Sequence, residues 1–149
     1  MNKKIFISAG HGGGDPGACA HGFTEAGIVG EFRDLVAADL LASSADVLTD
    51  GIGDENKPLR EAIKLAQTAG PVRVEFHLNA AGNPSAGGVE CLSAASQSPL
   101  AKALCSTVAN VLQIPARGGY GGWKPENSGQ HHRLGFISQG HGLILELFF

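Results

Sequence analysis

The sequence predicts one α/β domain, with a twisted and mostly parallel sheet covered by helices on both faces. Short apolar segments with strand character alternate along the chain with segments whose apolar residues recur at helical spacing. Turns rich in glycine and proline separate these segments. A chain of 149 residues is long enough for one hydrophobic core and too short for two, so residues 1–149 are expected to form a single domain.

Three segments carry helical patterns. Thr24 is a favourable N-cap, and apolar residues from Ile28 to Leu40 predict a helix of about four turns that begins near Glu25, with Glu31, Arg33 and Asp34 on its polar side. A second helix is expected between Pro58 and Gly70-Pro71, and a third between Ser98 and Ile114-Pro115. Strands are predicted at residues 4–8, 45–49, 72–79, 87–93 and 143–149, with a further short strand at 134–138.

The strand at 72–79 alternates cleanly. Val72, Val74, Phe76 and Leu78 form an apolar face, which leaves Glu75, His77 and Asn79 on the other face. His77 therefore lies at the far end of this strand, as His11 does after the first strand. Because ligands collect at the carboxyl ends of parallel strands, both imidazoles are expected at a binding site.

Composition excludes several classes of function. The formal charge is −3 with only 11 Lys and Arg, so there is no basic surface for nucleic acid. No apolar run reaches the roughly 18 residues that a membrane span requires. Cys19, Cys91 and Cys105 show no CxxC spacing and are expected to be reduced packing residues.

Glu146 is the most unusual polar residue, because it lies within the apolar segment 143–149. An ionised carboxylate inside a buried strand costs several kcal/mol unless a cation or donors compensate. Together with His11, Glu25 and His77 it would give three N/O ligands for a metal and a carboxylate that moves protons. Each residue also has an ordinary explanation: His11 in a loop, Glu25 favoured by the helix dipole, or Glu146 on an edge strand facing water.

The segment Ile5-Phe6-Ile7-Ser8-Ala9-Gly10-His11-Gly12-Gly13-Gly14-Asp15-Pro16-Gly17-Ala18 closely resembles the opening of the zinc-dependent N-acetylmuramoyl-L-alanine amidases of the amidase 3 type. Three further motifs follow in that family's order: a glutamate that opens the next helix, His77-Leu78-Asn79-Ala80, and Ile144-Leu145-Glu146-Leu147-Phe148. Gly87-Gly88-Val89-Glu90 is similar to another strand of the family. The resemblance covers essentially the whole chain.

The resemblance implies one amidase catalytic domain over residues 1–149. His11, Glu25 and His77 would bind Zn²⁺, Glu146 would be the catalytic carboxylate, and the bond cleaved would join N-acetylmuramic acid to L-alanine in peptidoglycan. Asn79 is a candidate substrate contact, and Glu31, Glu75 and Asn79 are candidate partners of the metal ligands. No segment resembles an autoinhibitory helix or a wall-binding repeat, which favours a free-standing monomeric enzyme like the bacteriolytic endolysins of phages. Because residues 1–11 do not resemble an export signal, we expect cytoplasmic synthesis and action on the cell wall after release.

Other interpretations stay open at this point. The glycine-rich turn could suggest a nucleotide site, but it contains neither GxxxxGK[ST] nor GxGxxG. A peptidoglycan-binding module that has the fold without the chemistry is a second alternative. Tyr120 and Trp123 in the loop 117–130 could line a substrate groove or only hold the loop against the body of the protein. His131 and His132 could touch substrate or a second metal, or be surface residues.

Overall fold

The computed structural model describes residues 4–126 and 134–149. Its strands are β1 (Ile5–Ala9), β2 (Cys19–Ala20), β3 (Phe23–Thr24), β4 (Val47–Thr49), β5 (Arg73–His77), β6 (Glu90–Ser93), β7 (Trp123–Pro125) and β8 (Leu143–Glu146). The helices are α1 (Glu25–Ala42), α2 (Leu59–Thr68), α3 (Ser98–Leu112) and α4 (Gly135–Ser138). No helix within these two ranges is both long and apolar enough to cross a bilayer.

Six strands form the central sheet in the order β4-β1-β5-β8-β6-β7. The pairings of β1 with β4 and β5, of β5 with β8, and of β6 with β7 are parallel. Only β6 and β8 pair antiparallel. The predicted α/β class and the mostly parallel sheet are therefore confirmed.

Helices cover both faces of the sheet, because the strands are apolar on both sides. One core cluster contains Val74, Phe76 and Leu145, against which apolar residues of α1 and α3 pack. The other contains Phe6, Leu92 and Ile144, together with buried residues of α2 and α4. In β5, Val74 and Phe76 belong to the first cluster, as the alternation predicted, so Glu75 and His77 point to the α2 side.

Local sequence explains where the long helices begin and end. The Thr24 hydroxyl accepts a hydrogen bond from the amide of Gly27 and caps α1. Pro58 precedes α2, and Pro99 lies in the first turn of α3, where a missing amide hydrogen costs nothing. Gln113 ends α3 in the left-handed conformation, with φ of 55°.

Several predictions of local structure were wrong. The strand expected at 134–138 is the helix α4, in which Ser138 donates from its backbone to Leu134. Phe136 and Ile137 are consecutive and both are buried in the α2-side cluster, which a helical turn permits and an alternating strand does not. The segment before Thr24, where no strand was predicted, contains the short hairpin of β2 and β3, and the segment 117–130, described as a loop, contains β7.

Arg33 corrects the expected polar side of α1, because its side chain is 0% exposed. Its guanidinium donates to the carboxylates of Asp34 and Asp50 at 2.9 and 3.2 Å and to the carbonyl oxygens of Gly53 and Glu55. Burial raises the pKa of Asp50, and the Arg33 charge opposes that rise. This buried pair attaches the loop 50–56 to α1.

Asn56 links the same loop to the sheet. Its amide nitrogen donates to the Ala9 carbonyl at 2.6 Å and to Asp50 at 2.9 Å. Asp50 in turn accepts from the Ala9 amide at 3.3 Å. The loop is therefore tied to the end of β1, two residues before His11.

Replacing Arg33 with methionine tests this network. Arg33→Met fills much of the same space but leaves the buried Asp50 without its cation, which we expect to lower the free energy of unfolding by about 3 kcal/mol. Urea denaturation of the metal-free protein measures the loss. Arg60→Met, at an exposed residue of α2, is the matched control, and Arg33→Met/Asp50→Asn should recover part of the stability. An equal stability for the Arg33 and Arg60 variants would contradict a structural role for the pair.

Candidate active site

The parallel strands β1, β5 and β8 place the predicted site residues at one edge of the sheet. His77 and Glu146 are the last residues of β5 and β8 and pair directly in the register. His11 follows the end of β1, and Glu25 is the first residue of α1. All four residues that the sequence singled out therefore lie in one region.

Glu25 is the buried centre of this arrangement. One carboxylate oxygen lies 3.1 Å from Nδ1 of His77, and the other lies 3.5 Å from Nε2 of His11. The same two oxygens accept hydrogen bonds from the backbone amides of Leu78 at 2.8 Å and Ala18 at 3.0 Å. Glu25 is thus fixed between the two imidazoles by the chain on either side.

A second carboxylate faces the other nitrogen of each imidazole. Asp15 lies 3.0 Å from Nδ1 of His11, and Glu75 lies 3.2 Å from Nε2 of His77. A carboxylate that accepts a hydrogen bond from the N–H of one ring nitrogen leaves the other nitrogen as a lone-pair donor. The geometry therefore favours His11 Nε2 and His77 Nδ1, the two nitrogens nearest Glu25, as metal ligands.

The donor set fits a divalent metal. Each of His11, Glu25 and His77 offers one ligand atom, and the three atoms lie within 4.8 Å of one another. Two imidazoles and one carboxylate form a ligand set found in catalytic zinc sites, which keep a further coordination position open. The His11 side chain is 26% exposed, so the donors can be reached from solvent.

Proton affinities at the site are shifted by this concentration of charge. Burial alone lowers the pKa of His77, but hydrogen bonds with Glu25 and Glu75 and the charges of Glu75 and Glu146 raise it to about 10. Burial raises the pKa of Glu25, whereas hydrogen bonds from His77, Ala18 and Leu78 lower it more strongly, so the net shift is downward. Without a metal, His77 is an imidazolium paired with carboxylates.

Glu146 lies beside this donor set. Its strand runs between β5 and β6, so the alternative of an edge strand facing water is wrong. The residue is 8% exposed, and its Oε2 atom is buried without a hydrogen-bond partner among the residues described. Burial raises the pKa of its carboxyl, His77 opposes that rise, and the charges of Glu25 and Glu90 add to it, which gives a pKa of about 7. A carboxyl group with that pKa can accept and return a proton near neutral pH.

Two glycines allow the close approach of these side chains. A Cβ atom at Gly10 would overlap the imidazole of His77. A Cβ atom at Gly17 would lie 2.7 Å from Oε2 of Glu25, and the backbone there has φ of 62°. The glycine-rich turn therefore brings backbone against the donor set where no other residue fits.

A cavity of about 600 Å³ opens beside the donor set. It is lined by His77 and Glu146, by the His11 loop, by Asn56 in the loop that Arg33 holds, and by Phe136 of α4. A cleft of this size holds a drug-sized ligand or a short piece of a polymer. The fold thus places two of the three candidate ligands, His11 and His77, and the candidate acid and base at the surface of one cleft.

The candidate partner residues have different outcomes. Glu75 contacts His77 as expected, whereas Glu31 is exposed on α1 and lines a separate depression. Asn79 donates to Glu90 at 2.9 Å and accepts from the Ala80 amide at 2.9 Å, so both ends of its amide are engaged. Its role as a substrate contact stays a prediction.

Sequence reasoning missed four residues of this region: Asp15, Asn56, Arg117 and Lys124. Asp15 appeared only as a member of the first motif, although the turn that follows His11 places its carboxylate against the imidazole. Asn56, and Arg117 and Lys124 beside the Glu90 carboxylate, lie in segments whose sequences carry no periodic pattern. Glu90 itself stood out only through the resemblance of its strand.

The two aromatic residues of the segment 117–130, Tyr120 and Trp123, differ in their contacts and exposure. Trp123 packs against the α1 and α3 side of the sheet and donates from its indole to the Ser93 hydroxyl at 3.1 Å. Tyr120 is exposed and meets the Trp123 ring edge to face at 6.3 Å. The contacts of Trp123 fit the alternative in which this pair holds the loop. His131 and His132 lie outside the described residues.

Comparisons with known proteins agree with this geometry. The chain is similar in structure to a protein of Neisseria meningitidis assigned as an N-acetylmuramoyl-L-alanine amidase, with 40% identity, a TM-score of 0.88, and coverage of 99% of this chain and 80% of the other. An N-acetylmuramoyl-L-alanine amidase of Nostoc punctiforme matches with 22% identity and a TM-score of 0.79, over 98% of this chain and 79% of the other. The catalytic domain of one from Paenibacillus polymyxa matches with 22% identity and a TM-score of 0.75, over 98% and 80%. These two likenesses show the fold alone.

A comparison with curated proteins gave no match. The family model described as N-acetylmuramoyl-L-alanine amidase matches residues 5–130, which include three of the four candidate site residues. The match covers most of the sequence, and the 40% identity to the Neisseria meningitidis protein extends over almost all of it. The chain belongs to the N-acetylmuramoyl-L-alanine amidase family.

Proposed function

We propose that this protein is a zinc-dependent peptidoglycan hydrolase that cleaves the amide bond between N-acetylmuramic acid and L-alanine. One observation carries the proposal: three donor atoms of His11, Glu25 and His77 lie within 4.8 Å of one another, and a carboxylate oxygen of Glu146 is buried on the neighbouring strand with no hydrogen-bond partner in residues 4–126 and 134–149. Family membership supports the choice of bond. The donor set supports the choice of metal.

The proposed mechanism assigns a separate task to each side chain. His11, Glu25 and His77 would hold Zn²⁺, which would polarise the scissile carbonyl and make water more acidic. Glu146 would accept a proton from the attacking water and deliver it to the amide nitrogen as that nitrogen leaves. Asp15 and Glu75 would hold the two imidazoles in the tautomers and orientations that binding needs.

We further propose a bacteriolytic role of the endolysin type. The partly exposed His11 and the open cleft support action on a large polymer without prior rearrangement of the described residues. Peptidoglycan needs an open site of this kind, because the bond to be cut belongs to a large polymer network that cannot enter a closed cavity.

The first test is turbidity loss of purified peptidoglycan and of permeabilised cells. The enzyme as isolated should clear both, chelation should stop it, and added Zn²⁺ should restore it, with release of peptides that begin with L-alanine. Identification of the new amino termini distinguishes this cleavage from cutting within the peptide. Bound zinc with no bond cleaved would instead indicate a binding module, and clearing of peptidoglycan without clearing of cells would contradict the lytic role.

Glu146→Gln tests the proton-transfer role. The amide keeps the shape of the side chain but cannot exchange a proton, so turnover should fall by about 10² to 10⁴ while zinc remains bound. Peptide release and metal content, measured on the same preparation, separate the two effects. Glu31→Gln changes an exposed glutamate away from the cleft and should leave both unchanged. Retained turnover in the Glu146 variant would remove this residue from the mechanism.

Metal binding should release a proton from His77. With a pKa of about 10 in the metal-free site, His77 is protonated at pH 8, whereas a metal ligand must be neutral. The apparent affinity for Zn²⁺ should therefore rise with pH up to about 10. Titration calorimetry in buffers of different ionisation enthalpy counts the protons released. Glu75→Gln removes one carboxylate that holds the proton and should lower the count, and an enthalpy independent of buffer would contradict the shift.

The raised pKa of His77 also makes the stability of the metal-free protein depend on pH. The pKa of His77 is higher in the folded state than its ordinary value of 6.5, so protonated His77 stabilises the metal-free protein fully below that pH. This contribution is lost as the pH rises towards about 10.

A further inference from the structure

Two cations surround one buried carboxylate next to Glu146. Nε of Arg117 lies 2.6 Å from Oε2 of Glu90, and Nζ of Lys124 lies 2.7 Å from the same oxygen. Asn79 donates to the other oxygen at 2.9 Å. These four residues are called the Glu90 cluster below.

The Glu90 cluster lies on the same face of the sheet as Glu146. Glu90 and Glu146 are direct partners in the antiparallel pair of β6 and β8. Arg117 follows Ala116, whose bridge to Val89 continues the sheet beyond β6. Lys124 pairs with Leu92, two residues along β6 from Glu90, and therefore points to the same face. From the metal ligands outward, the sheet edge presents Glu146, then Glu90, and then the two cations.

The Glu90 cluster contains two positive charges and only one negative charge. Burial raises the pKa of Glu90, but Lys124 and Arg117 lower it more strongly, so the group is a carboxylate and the cluster has a net charge of about +1 at neutral pH. Arg117 and Lys124 keep side-chain exposures of 30% and 33%, whereas Arg33, which contacts Asp50 in the interior, has 0%. An ammonium has three donors and a guanidinium five, so both cations have donors left for a further anion.

The position of the proton donor decides which part of the substrate reaches this charge. Glu146 must lie within hydrogen-bond reach of the leaving nitrogen, so the departing peptide begins beside it. The segment of Arg117 lies two strand spacings from the strand of Glu146, which is about 10 Å across the sheet. An extended peptide advances about 3.3 Å per residue. The length of the arginine and lysine side chains brings the second residue of the peptide within their reach.

We propose that Arg117 and Lys124 form a subsite for the α-carboxylate of the acidic residue that follows L-alanine in the stem peptide, an inference that rests on the proposed function. In peptidoglycan that residue is a D-glutamyl group joined to the next residue through its γ-carboxyl, which leaves the α-carboxyl free or amidated. A guanidinium and an ammonium bind a carboxylate through charge-assisted hydrogen bonds, whereas a carboxamide loses the charge. Glu90 positions the two cations and limits their excess charge.

The test uses two muramoyl tripeptides that differ only in whether this α-carboxyl is free or amidated. The zinc-loaded enzyme should cleave the free acid with a kcat/KM about tenfold higher, mainly through KM, which corresponds to one partly exposed charge-assisted hydrogen bond. Lys124→Gln and Arg117→Gln should each reduce the preference to about twofold or less, because one cation then remains and is engaged by Glu90. Lys102→Gln, which changes an exposed lysine of α3, should keep the full preference.

Binding of the same two compounds to the Glu146→Gln variant, measured by calorimetry, gives a readout that does not depend on turnover. Unfolding curves of the Arg117 and Lys124 variants show whether each one folds. Turnover with equal kcat/KM for the two compounds, or a preference that persists in both variants, overturns the subsite and leaves the amidase proposal intact. A binding preference without any turnover overturns the amidase proposal and leaves the subsite as a recognition element.

Discussion

Four glutamates, Glu25, Glu75, Glu90 and Glu146, are buried at one edge of the central sheet, and much of the structure serves to compensate their charge. Buried carboxylates are tolerated only where cations or hydrogen-bond donors replace water. The groups that compensate the charge differ from one glutamate to the next. Glu25 has two backbone amides and an imidazole, Glu75 has the far side of His77, and Glu90 has Arg117 and Lys124. Glu146 has one oxygen with no partner among the described residues. This uncompensated carboxylate is the group to which the proposed chemistry assigns a proton.

Rigid surroundings keep this arrangement in register. The sheet fixes His77 and Glu146, since both belong to paired strands. His11 lies in a loop, and its position depends on Asp15 within the turn and on Asn56 beside it. Asn56 is itself held through Asp50 by Arg33, which connects the interior of α1 to the wall of the cleft. The buried ion pair of Arg33 and Asp50 therefore bears on the position of a candidate metal ligand.

The sequence predicted the parts of this protein that depend on local pattern or on a recognisable motif. The strand of His77 and the cap of α1 at Thr24 follow from periodicity and capping chemistry, and both were confirmed. Arg33 was placed on the wrong side of α1, because its partner Asp50 is 17 residues away and no helical pattern reveals such a contact. The segment 134–138 was mistaken for a strand because a short apolar run has no length over which its period can be read. Asp15 was missed as a partner of His11, since spacing in an irregular turn does not fix a contact.

The single antiparallel pairing in the sheet has a chemical consequence that an entirely parallel sheet could not provide. In parallel strands, residues at the carboxyl ends meet at one edge, which brings His77 and Glu146 together. Because β6 runs the other way, its first residue, Glu90, reaches that same edge directly opposite Glu146. The segments that pair with β6 then bring Arg117 and Lys124 to that region. In the proposed arrangement, the reversal extends the line of functional groups by two strands, from the candidate metal ligands through the candidate acid and base to a pair of cations. One sheet edge would then contact both the bond that breaks and the peptide that leaves.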